Sequence, residues 1–93
     1  MENKLPFTEI EIENIFIRTF ESNTKSDDLL WHRDKEDRII EAVYDTDWKF
    51  QFDNELPIDF SNKIYIKAET YHRLIKGSGE LILKIKKYNY EIH

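Results

Sequence analysis

From Leu29 onward the chain is a succession of short runs in which apolar and polar residues alternate, each closed by turn formers. That pattern favours antiparallel β-structure, because side chains two apart share one face of a strand. Leu29 to Asp34 is a short strand with mixed faces. From Arg38 to Tyr44, one face carries Arg38, Ile40, Ala42 and Tyr44, and the other Ile39, Glu41 and Val43. Asp45-Thr46-Asp47 reads as a hairpin turn into the alternating run Trp48 to Asp53. Further strands are expected at Lys63 to Lys67, Tyr71 to Lys76 and Glu80 to Lys87, with Gly77-Ser78-Gly79 turning between the last two. Leu81, Leu83 and Ile85 share a face, while Lys84, Lys86 and Lys87 read as a solvated sheet edge. Spacing of this kind indicates a β-sandwich or barrel over about residues 28–88.

The segment before it admits two readings. Ile10/Ile12 and Ile15/Ile17 alternate as in a strand. Ile12, Phe16 and Phe20 also lie at helical spacing, and Thr8 with Glu11 has the form of a capping box. Glu9, Glu11 and Glu13 suit the positive end of a helix, so a short helix is expected over about 9–20. Residues 21–28 are polar and read as a loop.

Composition narrows the class. Ninety-three residues make one domain, 1–93, with a single thin core. Without cysteine there is no disulfide framework, thiolate metal site or cysteine nucleophile. Two glycines and no Gly-Lys-Ser/Thr exclude a P-loop and a dinucleotide fingerprint, so no organic cofactor is expected. A net charge of −5 argues against a dedicated nucleic-acid binder. The longest apolar runs are far too short to span a bilayer. No charged-then-apolar leader opens the sequence, which suggests a soluble cytoplasmic protein.

The residues that carry chemistry are few. His32 and Asp34 lie two apart in Trp31-His32-Arg33-Asp34, so an extended backbone projects imidazole and carboxylate side by side. His72 lies in Tyr71-His72-Arg73 on a later strand. If His72 faces the same interior, the three form a two-histidine, one-carboxylate set suited to iron, zinc, manganese or nickel. Without metal, the same residues would be a hydrogen-bonded pair of histidines beside a turn carboxylate. Arg38 on the inward face would fork onto a carboxylate or phosphate; its plainer reading is an exposed charge at a strand start. Trp48, Phe50 and Phe52 form an aromatic face that belongs to the core, with Trp48 nearest a pocket and Tyr44 on the same inward face as Arg38.

These positions resemble the two motifs of small single-domain cupins. The first motif is Gly, five residues, His-x-His, three or four residues, Glu, six residues and Gly. Here Ser26 takes the first glycine position, His32 and Asp34 the His-x-His pair, Arg38 the glutamate and Asp45 the closing glycine. The second is Gly, five residues, Pro-x-Gly, two residues, His, three residues and Asn. Ser61, Lys67, Glu69, His72 and Lys76 occupy those positions in turn, after a short inter-motif segment of fifteen residues. Only the histidines match strictly. Asp34 is a chemically sensible ligand, but Arg38 cannot ligate a cation.

The resemblance, which extends to small cupin-like proteins of bacteria and their phages, implies a cupin-type β-barrel or sandwich (a double-stranded β-helix). It also implies a divalent metal on His32, Asp34 and His72, and a homodimer whose interface would bury Trp31. Arg38, Tyr44 and Trp48 would line a site for a small, anionic ligand. Three functions remain open at this stage: a metal-dependent enzyme, a cupin that binds a small molecule without turning it over, and an acidic protein-interaction module.

Overall fold

The computed structural model describes residues 5–88. Its first two elements are strands, β1 (Thr8–Ile12) and β2 (Ile15–Phe20), which pair antiparallel with Ile12 opposite Ile15. Glu13 and Asn14 between them both have positive φ, 49° and 68°. That is the conformation of a tight two-residue hairpin loop whose twist matches its flanking strands. The expected helix over 9–20 is therefore replaced by a β-hairpin. Its isoleucines are β-branched and stiff, and β2 gains a hydrogen-bonded neighbour along its whole length. Among the described residues the only helical element is one 3-10 turn, Ser26–Asp28.

The remaining strands are β3 (Asp37–Ala42), β4 (Lys49–Phe52), β5 (Ile64–Ile66), β6 (His72–Ile75) and β7 (Leu81–Tyr88). Five of the seven form one antiparallel sheet in the order β1-β2-β7-β3-β5, and β4 pairs with β6 in a second. The two sheets face each other as an open sandwich, not a closed barrel. β7 runs between β2 and β3, so Lys84 and Lys86 decorate the outer face of a central strand and not an edge, while Lys87 shares the inward face with Ile85, opposite Arg38. Lys84 sits 3.6 Å from Glu41 on β3, and the Lys87 ammonium lies 4.0 Å from the centre of the Phe16 ring.

The core is the space between the sheets. Leu81, Leu83 and Ile85 line it from β7, Phe20 and Ile40 from β2 and β3, Ile64 and Ile66 from β5, and Phe50 from β4. Burying side chains of this size contributes roughly 1.5–3 kcal/mol each relative to exposure.

Asp45–Asp47 does not close a hairpin. β3 and β4 belong to different sheets, and the chain crosses from one to the other between Ala42 and Lys49. Trp48 fills that corner with no exposed surface, and its Nε1–H donates to the Gly79 carbonyl at 2.8 Å. Asp47 accepts from the backbone N–H and hydroxyl of Ser78, at 2.9 and 2.7 Å. The corner and the β6–β7 turn are thereby tied together. A side chain at Gly77 would run into the Asp47 carboxylate and the Trp48 backbone, so this close approach requires glycine. No helix among the described residues is long and apolar enough to cross a membrane.

Candidate metal centre

The segment expected as a strand over 29–34 is a strap that touches β6 at one point. His32 and His72 exchange both backbone hydrogen bonds there, at 3.0 and 2.9 Å. The strap is fixed again two residues on, where the Glu69 N–H donates to the Asp34 carbonyl at 2.7 Å. Because the bridge is antiparallel, His32 and His72 project to the same side, with ring centres 4.3 Å apart. Asp34 follows His32 by two and joins them. One ligating atom from each of His32, Asp34 and His72 lies within 4.8 Å of the other two.

Hydrogen bonding fixes how the imidazoles point. Nδ1 of His32 lies 3.1 Å from the Leu30 carbonyl, and Nδ1 of His72 lies 2.8 Å from that of Thr70. A carbonyl only accepts, so both Nδ1 atoms carry the proton and donate. In the neutral rings each Nε2 is then a bare lone pair. These atoms face the Asp34 carboxylate, at 4.0 Å from His32 to Oδ1 and 3.4 Å from His72 to Oδ2. His72 is buried against Phe50, whose ring stacks on it at 5.3 Å. Burial is the main cause holding its imidazole below the ordinary value of 6.5, which keeps it neutral at pH 7.

The carboxylate is asymmetric. Its Oδ1 lies 3.4 Å from Nη2 of Arg38. Its Oδ2 is buried with no hydrogen-bond partner among the described residues. Arg38 also donates from Nε and Nη2 to Glu36 Oε1, at 3.1 and 2.8 Å. Burial acts to raise the Glu36 carboxyl, but the hydrogen bonds and charge of Arg38 outweigh it and hold it below its usual range. Arg38 is thus a half-buried cation whose partners are Glu36 and Asp34.

The triad and Arg38 line a cavity of about 360 Å³ together with apolar side chains such as Phe20, Leu29, Ile40, Leu74 and Leu83. Tyr44 is exposed beyond the end of β3, and Trp48 lies in the core corner; neither lines the cavity. The β3 alternation stops where the chain turns toward the second sheet, so the parity that aims Arg38 inward does not carry to residue 44. Arg18, which does line the cavity, has no motif or parity signal in the sequence to mark it. It projects inward from β2, is bound to Glu9 Oε1 through Nε and Nη2 at 2.7 Å, and lies 3.9 Å above the Phe7 ring. Only the hairpin register, which sets Glu9 opposite Arg18, discloses that pair.

No protein-family model matches the sequence. Neither does any curated protein. Solved structures do match in shape. A cupin-2 domain protein of Shewanella frigidimarina NCIMB 400 superposes with a TM-score of 0.61 at 11% identity, over 95% of this chain and 85% of that one. The chain has the cupin fold. A candidate mannose-6-phosphate isomerase of Ralstonia eutropha JMP134 is similar at a TM-score of 0.64 and 15% identity, covering 90% and 83%. A protein of Neisseria meningitidis gives 0.60 and 16%, covering 95% and 89%.

This cupin-fold chain keeps the motif spacing with altered residues. At Glu69, where the motif has glycine, the backbone still adopts a positive φ of 65°. The turn survives without its usual residue, and its N–H is the one that holds Asp34.

Proposed function

We propose that this cupin holds a divalent transition metal through Nε2 of His32, Nε2 of His72 and Oδ2 of Asp34, and uses it to bind a small molecule in the cavity. The observation that carries the reading is the orphaned Asp34 Oδ2. A buried carboxylate oxygen without a partner is costly, and here it faces the lone pair of His72. A cation between them would turn three mutually repelling donors into ligands. The donor set of two imidazoles and one carboxylate suits iron, zinc, manganese or nickel and leaves positions open for a ligand.

The bound metal would supply Lewis acidity toward an oxygen or nitrogen atom of the guest. The chain's own part is to shape and charge the chamber. Asp34 and Glu36 are offset by Arg38 and by Lys87 opposite it on the same face, so a divalent ion makes the group positive. That balance favours a guest with an anionic head, while the apolar walls favour a hydrocarbon body. Arg38 orients Asp34 by holding Oδ1, which leaves Oδ2 for the metal.

Binding without turnover is the form of this reading that the cavity lining supports. Arg18 and Arg38 are both held in ion pairs, and Asp28 is the one carboxylate lining the cavity outside the triad among the described residues.

Thermal unfolding of chelator-stripped protein with zinc, cobalt(II) or nickel, each alone and with medium-chain fatty acids, tests the proposal. A ligand of the native state raises the melting temperature. The expected result is a rise with metal and a further rise with a carboxylate only when metal is present. A fatty-acid shift of equal size without metal would overturn the metal's role.

A further inference from the structure

Each histidine of the candidate metal centre is the middle of an aromatic–His–Arg triplet, Trp31-His32-Arg33 and Tyr71-His72-Arg73. The antiparallel bridge sets the two triplets against each other in reverse order. Trp31 therefore meets Arg73, whose guanidinium lies 4.6 Å from the ring centre, and Tyr71 meets Arg33 at 5.2 Å. Neighbours in extended chain project to opposite sides, so both histidines point in and both aromatic–arginine pairs sit outside.

The two halves of the site are not equally held. His72 belongs to β6 and is buried, whereas the His32 side chain is 47% exposed on a strap with a single bridge to that strand. A slip of one residue there would turn His32 outward. We infer that the two outer cation–π pairs are a clamp that fixes the register of the strap on β6 and so aims His32 Nε2 at the site. This rests on the metal reading above. The Trp31 half is the firmer one, because Arg73 Nε also donates to Gln51 Oε1 of β4 at 2.9 Å. Among the described residues Arg33 has in addition only Glu69, at 3.9 Å between exposed side chains. Trp31, Arg33, Tyr71 and Arg73 are positioning residues: they touch neither metal nor guest.

The rings are the place to test this, since removing an arginine would also change the field at the metal. Exposed cation–π pairs contribute enough to shift an equilibrium about threefold each, and groups that orient metal ligands typically change affinity by 10- to 100-fold. Cobalt(II) is the probe, because its visible absorption reports both occupancy and ligand geometry. Trp31→Leu/Tyr71→Leu is expected to bind cobalt(II) roughly tenfold more weakly, with an altered spectrum, and Trp31→Leu alone about threefold more weakly. Trp31→Phe/Tyr71→Phe, which keeps both ring faces, is expected to return affinity and spectrum to those of the wild type. The single variant decides the matter should the double variant fail to fold. Unchanged affinity and spectrum in Trp31→Leu, with the wild type binding normally, would overturn the clamp alone. A wild type that binds no cobalt(II) would overturn the metal reading itself and the clamp with it.

Discussion

Nε2 of His72 lies 3.4 Å from Oδ2 of Asp34, and both atoms are acceptors. Nothing among the described residues donates to that oxygen. The asymmetry makes Asp34→Asn informative. The amide keeps an acceptor for Arg38 and turns a donor toward His72. Metal-free Asp34→Asn is expected to be as stable as the wild type or more so, by about 1 kcal/mol, while its metal affinity falls by more than tenfold. Thermal melts and a zinc titration check the two halves separately, and loss of both stability and affinity would contradict the account.

Arg38 pairs with Asp34 of the candidate metal centre and with Glu36. Replacing it by methionine leaves Glu36 without its hydrogen bonds and is expected to destabilise the protein by roughly 2 kcal/mol at pH 7. The folded Glu36 carboxyl titrates below its ordinary value of 4.5. Its contribution is therefore full above 4.5 and is lost as the pH falls through the lower folded value. Urea unfolding of both proteins at several pH values should show the gap narrowing in acid. A gap independent of pH would separate Arg38 from Glu36.

Two glutamates occupy left-handed backbone, Glu13 at φ 49° and Glu69 at φ 65°. Glycine relieves that strain, so Glu13→Gly and Glu69→Gly are each expected to stabilise the protein by about 0.5–1 kcal/mol. At residue 13 the sign separates the hairpin from a helix, where glycine would cost about 1 kcal/mol. Urea midpoints of the two variants give the answer.

Gly77 packs against the corner that holds Trp48. Gly77→Ala must move the Asp47 side chain or the Trp48 backbone and is expected to cost about 1–3 kcal/mol. Gly79→Ala is the control, since a methyl there meets nothing. Equal melting temperatures for the two variants would refute this packing.

The candidate metal residues were legible because strand parity is simple: His32 and Asp34 two apart must share a side, and the motif spacing carries His72 to the same place. The N-terminal hairpin was not, and the reason is arithmetic. Phe16 and Phe20 are four apart and share a face in a helix and in a strand alike, so they fit both readings, whereas Ile12, opposite Ile15, lies on the other face of the hairpin. The deciding feature was the Glu13–Asn14 turn, which lacks the glycine that usually marks one. Tyr44 and Trp48 do not reach the cavity that strand parity assigns them, because alternation ends where the chain changes sheets. Glu36 as partner to Arg38, like Glu9 to Arg18, depends on side-chain contacts that a linear pattern does not encode.

The central claim is that His32, Asp34 and His72 hold one metal ion. Its most direct test is elemental analysis of untagged protein, reconstituted with each candidate metal and freed of excess, beside His32→Ala/His72→Ala treated in the same way. The account predicts close to one ion per chain in the wild type and almost none in the double variant. No metal in either protein, or equal metal in both, would contradict it.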